Sequence, residues 1–250
     1  MSDDHIIVSR DGGVVEIRFN RPDKKNAITN AMYGVMADAV AAAQTDEGAR
    51  VVLFTANGDF FSAGNDLKDF AAQSAGAFEG PRHVGRFLEN VIKAEKPIVA
   101  AVQGHAVGVG TTMLFQCDLV YVAETARLTT PFIDLGLVPE NASSLTVVDR
   151  LGHARAFAML GLGEPLLGRD AAAWGLANAA LPAHEVEPRA RAAAQALAQK
   201  PLESLRLTKR LMRDRERLLA RMREEGELFA QRLQSPEAMQ AFSAFFQKRS

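Results

Sequence analysis

The chain has 250 residues, of which 48% are hydrophobic and 24% charged, and its formal net charge is -1 at pH 7. This length allows a sizeable buried core, and the near-neutral charge argues against a surface devoted to nucleic acid or membranes. The single cysteine, Cys117, excludes an intrachain disulfide framework. The N-terminal segment has no apolar region behind a basic start, and no apolar run approaches the roughly 20 residues of a membrane span. We therefore expect a soluble cytoplasmic protein.

In the first two-thirds of the chain, strand patterns alternate with helix patterns. Two short β-branched runs separated by Asp11-Gly12-Gly13 predict a hairpin. Later apolar runs are continuous, which is typical of strands buried on both faces of a sheet. Strand, helix and buried strand in succession predict right-handed crossovers and a largely parallel sheet. Strands are predicted at 6–8, 14–19, 50–55, 97–103 and 117–123, and helices at 30–44 and 110–116.

The remainder of the chain is predicted to be helical, with no linker that would separate a second independent domain. The arginine-rich segment KRLMRDRERLLARMRE is interleaved with acids. This pattern favours a solvated helix face with i,i+4 ion pairs over a nucleic-acid surface. The predicted helices span 144–151, 154–160, 171–174, 185–199, 202–233 and 236–249.

Turn residues cluster at three strand-to-helix junctions, which should meet at the carboxyl ends of the strands, where α/β proteins bind ligands. The first junction, 21–28 (RPDKKNAI), offers Lys24 and Lys25 to a phosphorylated ligand, or is a plain surface turn. The second, 57–68 (NGDFFSAGNDLK), has small residues at Ser62-Ala63-Gly64 that let a ligand approach the backbone, or is an ordinary strand–turn–helix connection.

The third junction, 103–112 (QGHAVGVGTT), joins a buried strand to a helix through Gly104, Gly108 and Gly110. Free N–H groups at a helix start suit an anion or a developing oxyanion. The spacing is G-x-x-x-G-x-G and not the G-x-G-x-x-G of dinucleotide-binding proteins, so we reject that interpretation.

Three segments taken together resemble a known family. FFSAGNDL resembles the FxAGxDL segment of the crotonase (enoyl-CoA hydratase/isomerase) superfamily, KPIVAAVQGHAVGVG resembles its KPxIAAVxGxAxGxG segment, and RPDKKNAI resembles its RPxxxNAL opening. Further matches are CDLVYVAETARLTTPFIDLGLVPENASS and GLAN at 175–178. The likeness covers nearly the whole chain in the right order.

This resemblance implies an α/β fold built as a spiral of ββα units. It implies a core domain over 1–190 and a helical C-terminal region over 191–250 that serves in trimerisation, so a homotrimer or homohexamer is expected. The expected ligand is an acyl-CoA thioester, with coenzyme A as part of the substrate and with no metal or redox cofactor. The oxyanion hole would consist of the backbone N–H groups of Ala63 and Val109, which would hold the charge of a thioester enolate.

Hydratases of this family use two glutamates, and the matching positions here are Thr112 and Phe132. Neither side chain is an acid or base near neutral pH. PFIDLGLVPENASS instead resembles the PFxxLGxxPEGxSS segment of peroxisomal-type 3-enoyl-CoA to 2-enoyl-CoA isomerases, whose single catalytic base corresponds to Glu140. The alternative role of Glu140 is a helix N-terminal acid, and Asn141 replaces the usual glycine.

The resemblance also implies where coenzyme A would lie. Near the C-terminus, AFFQKR resembles the family's terminal AFxEKR, whose aromatic residue and lysine often reach the CoA of a neighbouring subunit; a frayed terminal helix is the alternative. The expected CoA contacts are Lys24, Lys25, Ala27, Ala63, Gly64, Asp66, Leu67, Phe245 and Lys248.

The resemblance therefore predicts an enzyme that shifts a double bond from 3-enoyl-CoA to 2-enoyl-CoA with Glu140 as its single acid/base. An enoyl-CoA hydratase in fatty acid or related acyl-CoA degradation is the alternative within the family. A non-catalytic crotonase-fold protein, for instance one that binds RNA, is the alternative from another class.

Overall fold

Ten strands form two sheets in the computed structural model, which describes residues 4–66, 69 and 80–247. Six strands belong to a larger sheet and four to a smaller one. In chain order the strands are β1 (Ile6–Asp11), β2 (Val14–Phe19), β3 (Val51–Ala56), β4 (Phe60–Ser62), β5 (Ile98–Val102), β6 (His105–Val107), β7 (Leu119–Ala123), β8 (Arg127–Thr129), β9 (Leu166–Leu167) and β10 (Ala179–Leu181).

The helices lie between the strands and, from residue 183 onward, follow one another. Three short 3₁₀ turns, Pro22–Lys24, Met113–Gln116 and Ile133–Leu135, accompany them. Within the described ranges the α-helices are α1 (Asn30–Thr45), α2 (Val84–Lys93), α3 (Val109–Thr112), α4 (Ser143–Leu151), α5 (His153–Gly161), α6 (Gly168–Ala171), α7 (Ala183–Ala198), α8 (Leu202–Met212), α9 (Arg215–Leu233) and α10 (Pro236–Gln247).

The larger sheet has the order β1-β2-β3-β5-β7-β10. β1 and β2 pair antiparallel, as the hairpin pattern predicts, and the other neighbours pair parallel. Every residue of β3 and β5 is buried, and α1 and α7 both pack against this sheet. Because both faces are covered, these strands have the continuous apolar sequences from which they were predicted.

The smaller sheet has the order β4-β6-β8-β9, and each of β4, β6 and β8 follows a strand of the larger sheet. The chain thus repeats one unit: a strand in the large sheet, a strand in the small sheet, then a helix. The chain changes from the larger to the smaller sheet at Gly104. Only glycine fits here, because a Cβ at this position would lie 1.8 Å from the carbonyl oxygen of Asp59. The expected α/β spiral of ββα units is confirmed.

The C-terminal region is helical, as predicted, but 202–233 is two helices and not one. Arg213 is extended (φ -136°) between α8 and α9, and the Asp214 carboxylate caps α9 by accepting from the Arg217 N–H at 3.0 Å. The guanidinium of Arg213 donates to the Gln116 carbonyl at 2.7 Å, which ties the break to the core. The helix predicted at 171–174 lies at Gly168–Ala171 instead. Within the described ranges, no helix has the length and apolar character that crossing a membrane would require.

Candidate active site

A cavity of about 370 Å³ lies between α9 and the part of the core that carries α1, α2 and the 139–142 loop. Two exposed arginines, Arg82 and Arg223, are among its lining residues. Its apolar lining is Ile28, Val84, Leu88, Met222, Phe229 and Leu233, and its polar lining includes Asn30, Tyr33, Asn65, Glu140 and Asn141.

Glu140 forms part of the inner wall of this cavity. The residue is half-buried and lines the cavity. Loss of solvation raises the pKa of Glu140 to about 7; a hydrogen bond from Thr112 opposes the increase and the charge of Glu225 adds to it. The Thr112 hydroxyl donates to Oε1 of Glu140 at 2.5 Å. A carboxyl group with this pKa can both accept and return a proton near neutral pH.

The other position that carries a glutamate in hydratases of the family is apolar and packed. Phe132 is buried, and its ring meets that of Phe229 edge-on, with the centroids 6.4 Å apart and the planes at 82°. Thr112 is fully buried and occupied with Glu140. Of these two positions, Thr112 is the one that contacts Glu140.

Tyr33, on α1, also lines the cavity and is almost completely buried. Its hydroxyl donates to Oδ1 of Asn65 at 2.7 Å. Burial raises the pKa of Tyr33 well above its ordinary value, and the charge of Glu140 raises it further. The phenol therefore stays neutral at physiological pH and holds the Asn65 side chain in place.

The expectation that the Ala63 N–H is a free donor is corrected by the structure. The Ala63 N–H donates to the Lys25 carbonyl at 2.9 Å, because the loops 21–28 and 62–66 lie side by side. Farther along this contact, Ile28 donates to Gly64 and accepts from Asp66, so the two bonds bracket Asn65. The N–H of Asn65 itself has no acceptor in the described part of the chain. Among the residues that the structure describes, Asn65 and not Ala63 therefore offers a free backbone donor in this loop.

Val109 is the first residue of α3, where a backbone N–H has no partner within the helix. The neighbouring N–H groups of Thr111 and Thr112 both donate to the Gly108 carbonyl. This loop touches the one that carries Asn65, since a Cβ on Gly64 would lie 2.7 Å from the Val107 carbonyl oxygen. Thr112, one turn beyond Val109, is the residue that contacts Glu140.

The residues predicted to hold coenzyme A lie near one another where the structure describes them. Lys24 and Lys25 are exposed, and the Lys25 ammonium is 5.0 Å from the centre of the Phe60 ring. Arg21 donates to the Ala27 carbonyl at 3.0 Å and pairs with Asp66 at 2.6 Å. Ala63 and Gly64 follow in the adjacent loop. Leu67, Lys248 and the side chain of Phe245 lie outside the described residues.

Sequence reasoning missed Glu225, a second acidic side chain near Glu140. Glu225 lies on α9 and is 4% exposed. Its Oε1 accepts from the Ser144 N–H at 2.9 Å, at the N-terminus of α4. Burial raises the pKa of Glu225, and the hydrogen bonds from Ser144 and Ala142 oppose that increase. The sequence does contain a pattern that could have placed this helix over the cavity. Residues at helical spacing on one face of α9 line the cavity: Met222, Gly226, Phe229 and Leu233.

Comparisons with known proteins identify the family. Residues 9–250 match the family described as enoyl-CoA hydratase/isomerase. The chain is 37% identical to enoyl-CoA delta isomerase 2 of Rattus norvegicus over 98% of this chain and 64% of that protein. It is 30% identical to 2,3-dehydroadipyl-CoA hydratase of Escherichia coli (strain K12), over 98% of this chain and 96% of that one. The chain spans about 64% of the length of the rat isomerase.

Solved structures are similar over the same extent. The structure of Pseudomonas aeruginosa OdaA has a TM-score of 0.92 and 46% sequence identity, and the match covers 97% of this chain and 99% of that chain. The family match includes the segments that contribute Ile28, Asn65 and Glu140 to the cavity lining. The chain belongs to the enoyl-CoA hydratase/isomerase family.

Proposed function

We propose that the protein is an acyl-CoA isomerase that converts 3-enoyl-CoA to 2-enoyl-CoA, with Glu140 as its single acid/base. The observation that carries this proposal is the state of Glu140: a carboxyl group at the cavity wall, with a pKa raised to about 7, bonded to Thr112. Isomerisation requires one group that removes a proton and returns it. Phe132 cannot supply a second carboxylate.

In the proposed reaction, the Glu140 carboxylate removes a proton from C2 of the acyl chain. The electron pair of that C–H bond moves toward the thioester, and the C3–C4 double bond becomes conjugated with the enolate. Protonated Glu140 then delivers the same proton to C4, which leaves the double bond between C2 and C3. Atoms and electrons balance without any additional reactant.

The charge on the thioester oxygen requires donors that exist before the reaction begins. We assign this role to the backbone N–H groups of Asn65 and Val109. In support, neither N–H has an acceptor within the described residues, whereas the Ala63 N–H is engaged with Lys25. Loss of one such donor costs about 3–4 kcal/mol in related acyl chemistry.

Coenzyme A is proposed to lie along the adjacent loops 21–28 and 62–66. The exposed Lys24 and Lys25 would meet its phosphates, and the small residues Ala63 and Gly64 would let the pantetheine approach the backbone. Asp66 contributes to the loop through its ion pair with Arg21. The other proposed contacts are Ala27, Leu67, Phe245 and Lys248.

Enoyl-CoA hydration is the second candidate, and Glu225 is the observation in its favour. Hydration needs two groups to orient and activate water, and Glu225 is close enough to raise the pKa of Glu140 by its charge. The similarity to a bacterial 2,3-dehydroadipyl-CoA hydratase points the same way. Against it, the Glu225 carboxylate is bound to the N-terminus of α4 and is not part of the cavity lining.

Product identification separates the two reactions. The protein is incubated with 3-enoyl-CoA in one series and with 2-enoyl-CoA in another, and the products are resolved by chromatography and mass. Isomerisation predicts interconversion of the two without a change in mass, whereas hydration adds the mass of water to 2-enoyl-CoA. The Glu140→Gln variant should lose on the order of 100- to 10,000-fold in turnover while still binding CoA esters. Near wild-type turnover in this variant would mean that another residue is the base.

The assembly and compartment belong to the same proposal. We expect a homotrimer or homohexamer in which the helical C-terminal region takes part, and we expect the protein to act in the cytoplasm. Sedimentation of the purified protein measures the first, and fractionation of cells that express it measures the second.

A further inference from the structure

The cavity lining contains an arginine whose charge has no partner. Arg82 is exposed, lines the cavity, and has neither a hydrogen-bond acceptor nor an ion-pair partner among the residues that the structure describes. Two carboxylates of the same lining are already engaged. Asp66 pairs with Arg21 at 2.6 Å, and Oδ2 of Asp69 accepts from the backbone N–H at the start of α1 at 2.7 Å. Arg82 is therefore available to an anionic group of a ligand.

The segment that carries Arg82 is held against the start of α1 by one side chain. Nδ2 of Asn30 donates to the Pro81 carbonyl at 3.1 Å, and Oδ1 of Asn30 accepts from the His83 N–H at 2.9 Å. These two hydrogen bonds hold the residues on either side of Arg82, and Asn30 itself lines the cavity. The backbone of Arg82 is thus fixed at the cavity, while its guanidinium group keeps its donors for a ligand.

Arg82 precedes the end of α2 that lies away from Glu140. At the other end of α2, Ile92 belongs to the same apolar cluster as Ala142, which follows Glu140 by two positions. Val84 and Ile92 are eight positions apart on this helix, which corresponds to about 12 Å along the helix axis. Between the two ends, α2 contributes these residues to the cavity lining: Val84, Gly85 and Leu88.

A cation at the end of a partly apolar wall matches a ligand that is apolar along its length and anionic at its end. The guanidinium group presents its N–H donors in a fork that fits a carboxylate. Because Arg82 is exposed, neither it nor the carboxylate would have to lose all of its water, so little desolvation opposes the pairing. The phosphates of coenzyme A are the other anions to consider. They are proposed to meet Lys24 and Lys25, which are also exposed.

We propose that Arg82 binds a carboxylate at the distal end of the acyl chain, so that the substrate class is the CoA monoester of an unsaturated dicarboxylic acid. This inference rests on the proposed function, because it assumes that the acyl chain extends from Glu140 into the cavity. Since α2 spans about 12 Å between its two ends, the carboxylate lies several carbon atoms beyond C4.

Binding of saturated, unreactive esters tests the inference apart from the reaction. Adipoyl-, suberoyl- and sebacoyl-CoA are titrated in parallel with hexanoyl-, octanoyl- and decanoyl-CoA, which have the same lengths and lack the second carboxylate. For at least one of these lengths, the wild type should bind the dicarboxylic ester about fivefold more tightly. This ratio should fall to one or below in Arg82→Gln, and it should decrease at high salt in the wild type.

Arg223→Gln is the matched control. Arg223 is also exposed and lines the cavity, but it lies on α9 and not beside α2. Its replacement removes the same charge and should leave the ratio of the two affinities unchanged. Equal changes of the ratio in Arg82→Gln and Arg223→Gln would reveal a general effect of charge and would contradict the assignment to Arg82.

The remaining outcomes separate this inference from the proposed function. If the wild type shows no preference for the dicarboxylic ester at any length, or if Arg82→Gln leaves the ratio unchanged, the role of Arg82 is overturned and the proposed function stands. Free CoA distinguishes the two sources of negative charge. Equal weakening of free CoA and of both esters in Arg82→Gln would assign Arg82 to a phosphate and contradict the inference. Failure of the wild type to bind any of the esters would overturn both proposals.

Discussion

The hydroxyl of Thr112 donates a hydrogen bond to Oε1 of Glu140 over 2.5 Å. By the resemblance, hydratases of the family carry a glutamate at the position that corresponds to Thr112. In this chain the threonine at that position instead binds the carboxylate of Glu140. The hydrogen bond lowers the pKa of Glu140, while burial raises it and burial is the larger effect. Thr112 therefore adjusts the ionisation of Glu140 and fixes the position of one of its oxygens.

Replacing Thr112 by Val should move the pH dependence of activity. The variant loses the donor that favours the charged carboxylate, so the pKa of Glu140 rises above about 7. Since the base must be ionised, kcat/KM in the wild type should increase as pH rises through about 7, and in Thr112→Val this increase should lie at higher pH. Thr112→Ser keeps the hydroxyl and is the control. A profile of Thr112→Val that overlaps that of Thr112→Ser would mean that the hydrogen bond does not set the ionisation.

Glu225→Gln should shift the same profile in the opposite direction. The charge of Glu225 raises the pKa of Glu140, so its removal lowers the pH at which Glu140 ionises. Glutamine retains the oxygen that accepts from the Ser144 N–H, and α4 keeps its cap. Glu227→Gln removes the same charge from an exposed position on α9 and is the matched control. If both variants shift the profile equally, the effect comes from net charge and not from proximity.

Glu140→Gln should be more stable than the wild type, and the difference should depend on pH. The unfolded carboxyl group ionises near 4.5 and the folded one near 7, so the native state binds more protons between these values. The free energy of unfolding of the wild type therefore decreases as pH rises from about 4.5 to 7, and this decrease is complete above 7. Glutamine has no such loss. Denaturant unfolding should give a difference on the order of 1–3 kcal/mol at pH 8 and almost none at pH 4.5. A difference that does not vary with pH would contradict the raised pKa.

Five strands of the larger sheet could be predicted from the sequence, whereas its edge strand β10 and the smaller sheet could not. β2 has the predicted bounds, 14–19, and β3, β5 and β7 lie within or one residue from their predicted ranges, since strands covered on both faces are continuously apolar. β4, β6 and β8 have three residues each, too few for a periodic pattern. Their pairing depends on how successive turns of the spiral stack, which is a property of the tertiary structure.

The candidate site, too, could be predicted only in part, because some of its features depend on contacts between distant segments. Glu140 stands in a segment specific enough to be recognised from its sequence. Which N–H of the 62–66 loop is free depends on its register against Ile28, far away in the chain, and this register engages Ala63 and leaves Asn65. The position of Glu225 depends on the break at Arg213, which sets the direction of α9. Contacts between segments that are distant in the sequence thus determine which backbone N–H is free and where Glu225 lies, and the motifs do not contain this information.

Removal of residues 245–250 should weaken CoA-ester binding more than it lowers thermal stability. Contacts that hold α10 to the body of the protein precede the cut: Ala238 is fully buried against Gly136, and Arg232 pairs with Glu237. The truncated chain keeps them, so Tm should change little. The deleted part includes Phe245 and Lys248, which are proposed to cover the nucleotide and to meet a phosphate. The loss of an aromatic contact and one exposed charge pair should weaken binding on the order of threefold to tenfold.

Titration of the truncated protein with a CoA ester measures this effect, and sedimentation verifies that its oligomeric state is unchanged. Lys248→Gln within the full-length chain separates the charge from the ring, because its effect should decrease at high salt while that of Phe245→Ala should not. Lys24→Gln serves as a comparison at the other proposed phosphate contact, on the loop 21–28. Unchanged affinity in a truncated protein of native assembly would remove the tail from the site and restrict the proposed CoA contacts to the loops 21–28 and 62–66.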